Sequence, residues 1–338
     1  MSRAERLIDS DNTVVEVART LGVRSSNNLR EAIVSAAVAR VQNWMRQLDF
    51  TPRTLDEIHH LVLNKTGVRI MRLTQDHDLA SASSIIRNMN PALPVQLALE
   101  FGRTTEALVI QRSDADPKSC SRFVAIIDAR ADRRRRAWFA ERHEPSHLLI
   151  GDPGANAIWR RTRRHRPEPI EQVVDSVASA LGFWQPVVQP VLSICLSNCP
   201  YTLEALEETR QQVAPDASKE ASFRAFIEMI KRPLVLLWVA DGCRREDEAP
   251  GGDPQRSMAL RARKVLINST AKCDAISIWP NFQIPPHSAI HLARADSGRR
   301  VFVQTDDLDT WASERHGSLA SCQVRVIARG SWATIEPF

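Results

Sequence analysis

Two histidines stand four residues apart in the segment RHEPSHLL, at His143 and His147. On an α-helix this spacing puts both imidazoles on one face, where they can reach a single metal ion. A zinc ion held in this way needs a third protein ligand and keeps one coordination position open for water. The segment therefore predicts a helix that packs against a second element carrying that ligand. The alternative is a pair of histidines on an ordinary helix.

Glu144 follows the first histidine directly. A carboxylate at this place can take a proton from a water whose pKa the metal lowers toward about 7. A β-like run at residues 122–128 (RFVAIID) precedes a helix-forming stretch at 133–150, which contains the motif. This order of strand and helix favours a zinc-dependent peptidase with Glu144 as the general base.

Pro145 lies inside the predicted helix. A proline removes one backbone hydrogen bond and costs about 3 kcal/mol in a regular helix interior. A kink here would separate the two imidazoles, or it would re-aim His147 toward the metal. The sequence leaves both outcomes open.

The third ligand is expected from a following helix, and Glu171 is the preferred residue. It begins the helical run EQVVDSVASAL, far enough after His147 for the chain to turn back. Glu168 and His165 are the alternatives, in the proline-flanked loop RHRPEP. Asp175, one turn after Glu171, is expected to orient a ligating histidine from outside the metal's coordination sphere.

Composition favours a soluble cytoplasmic protein with no membrane segment. Of the 338 residues, 43% are hydrophobic and 25% are charged, which is ordinary for globular domains. The first residues, MSRAERLIDSDN, contain no apolar stretch typical of a signal peptide. The apolar run at 233–240 is too short to cross a bilayer. Six scattered cysteines are typical of reduced cytosolic thiols.

An arginine-rich segment and three pairs of cysteines or histidines give weaker predictions. Residues 130–166 hold eleven arginines against four carboxylates, and the run Arg133–Arg136 either binds an acidic partner or solvates a helix start. Three further pairs have spacings that metal sites use, but isolated pairs are usually structural: Cys195 with Cys199, His59 with His60, and His287 with His291.

The predicted fold class is α+β, with a zincin-like core made of a small sheet and the HExxH helix. The predicted domains are an N-terminal helical segment (1–28), the metallopeptidase domain (29–200), a helical segment (201–245), a linker (246–257) and a β-rich C-terminal domain (258–338). The linker contains the acidic turn-rich run EDEAPGGD. The C-terminal strands are expected at KVLIN, AISIW, RVFVQ and CQVRVIA.

The segment RFVAIIDARADRRRRAWFAERHEPSHLL resembles the core of the ImmA/IrrE metallopeptidases: a short strand, an arginine-rich helix start and His-Glu-x-x-His-Leu-Leu. EQVVDSVASALGFWQP is similar to the family's second motif, in which Glu171 matches the ligand glutamate. The second match is loose, because Val174, Asp175 and Val177 replace the usual Ala, Asn and Phe.

The resemblance extends over residues 29–338, where the C-terminal part is similar to the β domain of the longer members. It implies a zinc peptidase with a Glu third ligand that cleaves a helix-turn-helix transcriptional repressor, in a stress or mobile-element response. It also implies that the β domain senses a ligand or partner. Residues 122–128 are expected to pair with the substrate backbone as an added strand.

The competing hypothesis is a catalytically inactive relative that acts as a DNA- or protein-binding regulator. Residues 12–28 (NTVVEVARTLGVRSSNN) have the apolar helix and Leu-Gly-Val turn of a helix-turn-helix motif. The following helix is too apolar for a surface that reads DNA, so nucleic-acid binding is not favoured. Salt-sensitive binding to random duplex would support the regulator.

Overall fold

The computed structural model describes residues 11–23, 28–89, 101, 105–111, 122–152, 168–243, 247, 258–273, 278–296, 300–311 and 322–337, and the backbone of 158–162. The chain is α+β and divides into two compact units. The first takes the described residues up to Val188 together with Val213–Ala221, and the second takes Gln189–Gln212 with Ser222 onward. Each unit has its own sheet.

The first unit contains six helices and four strands among its described residues. They are α1 (Asn12–Thr20), α2 (Leu29–Gln47), α3 (Leu55–Thr66), β1 (Val68–Leu73), α4 (Asp78–Met89), β2 (Thr105–Gln111), β3 (Phe123–Asp128), α5 (Arg134–Ile150), β4 (Ile158–Thr162) and α6 (Pro169–Gly182). A 3-10 turn at Ala131–Arg133 leads directly into α5. The predicted helix containing the HExxH segment is therefore confirmed.

The first sheet has the order β1-β3-β2-β4. Strands β1 and β3 run parallel, whereas β2 is antiparallel to both β3 and β4. Both backbone edges of β3 are therefore occupied by neighbouring strands. The expectation that residues 122–128 pair with a substrate backbone is wrong, because an added strand needs a free edge.

Helices cover both faces of this sheet, which explains why the apolar residues of β2 and β3 are buried in succession rather than alternately. Leu108, Ile110, Val124 and Ile126 pack on the side of α4. Ala107, Val109, Ala125 and Ile127 pack on the other side, against Ala137 and Ala140 of α5. Small residues on α5 allow this helix to lie close to the sheet.

Buried carboxylates fasten α5 to the sheet at two points. Asp128, at the end of β3, has a fully buried side chain that forms ion pairs with Arg130 and Arg133. Farther along α5, Glu141 is 2% exposed and binds Arg72 of β1 through two hydrogen bonds, at 2.5 and 2.6 Å. These contacts fix the start and the middle of the helix.

The arginine run at the start of α5 also meets carboxylates of the same unit. Arg133 pairs with Asp128, Arg134 lies 3.5 Å from Asp216, and Arg136 lies 3.6 Å from Glu106. Part of this positive charge is thus balanced within the chain, whether or not an acidic partner binds.

Replacing Asp128 with alanine is expected to lower the free energy of unfolding by about 3 kcal/mol, because a buried ion pair loses one partner. Burial raises the pKa of Asp128, but hydrogen bonds and charge from Arg130, with charge from Arg133, outweigh it and hold the pKa below its usual value. The stabilisation is therefore complete above the unfolded-state pKa of about 3.9 and is lost as the pH falls through the lower folded-state pKa.

Urea unfolding of the parent and of the Asp128→Ala variant between pH 3 and pH 7 would measure this difference. Asp76→Ala is the matched control, because Asp76 also pairs with Arg130, at 2.6 Å, but is 89% exposed. The control should change stability by less than about 1 kcal/mol. Equal effects of the two variants would contradict the structural role of Asp128.

Residues 12–28, which the helix-turn-helix hypothesis concerns, lie only partly within the described residues. Helix α1 ends at Thr20 and α2 begins at Leu29, and residues 24–27 between them lie outside the described part of the chain. Helix α2 buries a stripe along its length, made by Ile33, Ala37, Val41 and Met45. The hypothesis of DNA binding by this segment stays a prediction.

The second unit is built on an antiparallel sheet with the order β6-β5-β9-β8-β7. Its strands are β5 (Val235–Gly242), β6 (Ala259–Ile267), β7 (Phe302–Asp307), β8 (Gln323–Arg329) and β9 (Trp332–Pro337). Two short helices follow β6: α10 (Ser269–Cys273) and α11 (Ala289–Ala295). Helices α7 (Gln185–Asn198), α8 (Thr202–Val213) and α9 (Lys219–Met229) contribute residues to both units.

The strands predicted at KVLIN, RVFVQ and CQVRVIA are confirmed as parts of β6, β7 and β8. Most of AISIW lies outside the described residues. The helical prediction for 201–245 is wrong in its last part, because β5 occupies Val235–Gly242. Its run VLLWVA is too short and too rich in β-preferring residues for a helix. The domain boundaries otherwise stay predictions.

Among the described helices, none is by itself long and apolar enough to cross a membrane. The bent pair formed by α6 and α7 meets the criteria jointly, on length and composition alone.

Candidate metal centre

Helix α5 brings the two histidines of the HExxH segment together. His143 and His147 are both buried, and their Nε2 atoms lie 3.1 Å apart. The helix continues through Pro145 without interruption. The Ser146 hydroxyl, next to Pro145, donates a hydrogen bond to the Arg142 carbonyl one turn earlier, at 2.7 Å. Pro145 therefore does not separate the imidazoles, and the spacing predicted from the sequence is retained.

Glu171 supplies a carboxylate to the same point from the first turn of α6. Its Oε2 lies 3.2 Å from His143 Nε2, and its Oε1 lies 3.5 Å from His147 Nε2. The Glu171 side chain is 32% exposed, so the group is open to solvent on this side. Among the described residues, these three side chains form the one cluster whose ligand atoms could hold a metal ion.

A second carboxylate holds each imidazole from behind. Asp175 Oδ1 lies 2.8 Å from His143 Nδ1, and Asp152 Oδ2 lies 2.8 Å from His147 Nδ1. A carboxylate accepts hydrogen bonds, so each Nδ1 donates to its aspartate and each Nε2 is directed at the cluster. The two Nε2 atoms and the Glu171 carboxylate face one another at about 3 Å, an arrangement that a cation between them would stabilise.

Asp175 contacts His143, as its position one turn after Glu171 led us to expect, whereas the contact of Asp152 with His147 was not expected from the sequence. Helix α5 ends at Gly151, whose positive φ of 71° turns the chain back. The Asp152 N–H donates to the His147 carbonyl at 3.0 Å, and the Asp152 carboxylate lies beside His147 Nδ1. Glycine followed by an acidic residue at a helix end was the available signal.

Glu144 is fully buried in α5 between the two histidines. The neighbouring acid on this helix, Glu141, is engaged in the bidentate pair with Arg72. Glu144 is therefore the buried acid that follows a histidine of the cluster in sequence. It does not take part in the ion pair with Arg72.

The other proposed ligands do not join this cluster. Glu168 is exposed at the N-terminal cap of α6, and His165 lies outside the described residues. Burial, with the charge of Arg142, lowers the pKa of His59 to about 3, so its imidazole is neutral at physiological pH. The remaining pairs are Cys195 with Cys199, and His287 with His291, and neither belongs to a three-ligand group among the described residues.

The arrangement thus defines a candidate metal centre with two imidazole ligands, one carboxylate ligand and two outer carboxylates. Comparison with protein-family models and with curated proteins finds no match to this chain.

Proposed function

We propose that the chain is a zinc-dependent endopeptidase with a zincin-like catalytic core. The observation that carries this proposal is the convergence of His143, His147 and Glu171, with Nδ1 of each histidine hydrogen-bonded to an aspartate. Two nitrogens and one carboxylate oxygen form the ligand set of a catalytic zinc site, which leaves the fourth position for water.

The separations between the two Nε2 atoms and the two Glu171 oxygens support this choice of metal. Zinc binds imidazole nitrogen and carboxylate oxygen at about 2.0–2.2 Å, so ligands of a tetrahedral site lie about 3.3 Å apart. The separations here are 3.1, 3.2 and 3.5 Å. Little rearrangement would be needed to bind the ion, and His143, His147 and Glu171 would hold it.

In this proposal Glu144 is the general base. A bound zinc ion supplies Lewis acidity, which polarises the scissile carbonyl and lowers the pKa of water to about 7. Glu144 accepts the proton as the water oxygen attacks the carbonyl carbon, and returns it to the leaving amide nitrogen. Asp175 and Asp152 keep the two imidazoles in one tautomer throughout.

The substrate class comes from the resemblance to the ImmA/IrrE peptidases, which implies cleavage of a helix-turn-helix repressor. An extended substrate segment would add to the outer edge of β4, because β3 lies inside the sheet. Strand β4 is the next element after α5, the helix that carries His143 and His147. The regulatory role expected for the β-rich C-terminal part also stays a proposal.

Metal-dependent cleavage tests the proposed function. The purified chain would be incubated with a quenched-fluorescent peptide library and with a helix-turn-helix repressor encoded beside its gene. Cleavage should stop after dialysis against EDTA and return when zinc is added. Cleavage that persists without metal would contradict the mechanism. Repressor binding without cleavage at saturating zinc would favour the inactive regulator.

A further inference from the structure

Arg142 is a buried arginine that joins three helices beside the metal centre. Its side chain is 4% exposed and its guanidinium lies over the Trp138 ring, 3.7 Å from the ring centroid. It donates to the Trp138 carbonyl at 2.9 Å and to Asp56 of α3 at 3.1 Å. Burial lowers the pKa of Arg142 to about 10, so the group remains charged at neutral pH.

The aliphatic part of Arg142 occupies the space where α6 ends. A Cβ placed on Gly182 would lie 2.8 Å from Arg142 Cδ and 3.4 Å from Trp138 Cη2. The first distance is shorter than real Cβ contacts, so a side chain at position 182 would require Arg142 to shift, against the ring contact and hydrogen bonds that hold its guanidinium. The next residue, Phe183, packs on Trp138 with ring centroids 5.0 Å apart. The absence of a side chain at Gly182 thus leaves room for the aliphatic part of Arg142.

The contact between Arg142 and Gly182 lies at the end of α6 that is opposite to Glu171, the proposed metal ligand. Glu171 and Gly182 are separated by eleven residues, which correspond to about 16 Å along the helix axis. The two helices are antiparallel neighbours that meet at the metal centre and at the Arg142 contact. Because protein interiors are close-packed and barely compressible, a displacement at one end of α6 is passed to the other.

We propose that Arg142 and Gly182 are a positioning pair, which sets the place of Glu171 relative to His143 and His147. This inference rests on the proposed function, since it concerns the ligand geometry of that same metal site. Neither residue touches the metal ligands through its side chain in the described contacts. Their role is to define how α6 lies against α5.

Gly182→Ala is expected to weaken zinc binding by about tenfold or more, in the range of substitutions that misplace a metal ligand. Affinity would be measured by competition with a chromophoric chelator on the folded full chain. The absorption spectrum of bound Co²⁺ should change as well, because it reports the geometry of the Glu171 oxygen. Ser179→Ala, one turn earlier on α6, is the matched control and should bind zinc as the parent does.

The Arg142→Ala background provides the decisive comparison. Without the Cδ atom there is room for a Cβ at position 182, so Gly182→Ala should no longer weaken zinc binding in that background. Arg142→Lys retains the aliphatic stem and should bind zinc within about threefold of the parent. Because affinity is measured on the folded chain, a general loss of stability would by itself leave zinc binding unchanged in every variant.

The outcomes separate this inference from the proposed function. Zinc binding by the parent with unchanged affinity in Gly182→Ala would overturn the positioning pair and leave the metal site standing. Weakening by Gly182→Ala that is equal in both backgrounds would also overturn it. If Gly182→Ala does not fold, a double variant that folds and binds zinc as Arg142→Ala does supports the pair, and one that binds more weakly overturns it. A parent that binds no zinc would refute both proposals.

Discussion

Replacing Glu144 with glutamine is expected to reduce the rate of peptide cleavage by about a thousandfold while zinc remains bound, as expected for loss of a general base. Glutamine has nearly the same shape as glutamate, so the helix and both imidazoles stay in place. It cannot accept the proton of the attacking water. The measurement is kcat on a cleaved peptide, beside the zinc content of the same preparation.

Glu141→Gln is the matched control for this experiment. Glu141 lies on the same helix and is also buried, but its carboxylate binds Arg72. The variant is expected to lose stability, whereas the folded fraction should cleave at nearly the parent rate. If Glu144→Gln cleaves as fast as the parent, Glu144 is not the base and the proposed mechanism fails.

Glu171→Gln is expected to weaken zinc binding by at least about 100-fold, because outer-shell substitutions already cost 10–100-fold and Glu171 would bind the ion directly. An amide has no negative charge to offset that of the cation. The affinity would be measured by chelator competition, and the zinc-induced rise in melting temperature should shrink in parallel.

Glu168→Gln is the control for the third ligand. Glu168 was an alternative to Glu171 in the sequence and lies three residues before it, exposed at the cap of α6. This variant should bind zinc with the parent's affinity. The reverse pattern, with Glu168→Gln weakened and Glu171→Gln unchanged, would show that the ligand assignment is wrong.

Local signals in the sequence were sufficient for many of the elements. Thr54 and Glu57 form the capping box that starts α3, and Gly67 ends the helix with a positive φ of 68°. The residues after this glycine, Val68–Leu73, form a strand. In each case the determining residues lie within a few positions of the element, so the pattern can be read without knowledge of the fold.

Properties that depend on distant residues could not be read in this way. The apolar run of β3 suited either an edge or an interior strand, and only pairing with β1 and β2 decides between them. Strand β5 lies at the end of the segment predicted to be helical, whose earlier part is occupied by α8 and α9. Of its two partners, β6 is the next strand along the chain, whereas β9 lies near the end of the sequence.

The same distinction applies to the candidate metal centre. Helical spacing alone places His143 and His147 on one face, and the two nitrogens do converge at 3.1 Å. Pro145 could have separated the two imidazoles by a kink, but the helix continues through it. The support from Asp152 needs the chain reversal at Gly151, and the contact of Arg142 with Gly182 needs the packing of two helices. Neither follows from sequence spacing.

The zinc content of the purified protein tests the central claim most directly. The parent and a His147→Ala variant would be dialysed against a weak chelator and measured by elemental analysis. The proposed site predicts about one zinc ion per parent chain and almost none in the variant. Absence of zinc from the parent, even after zinc is added back, would contradict the assignment of this centre as a zinc site.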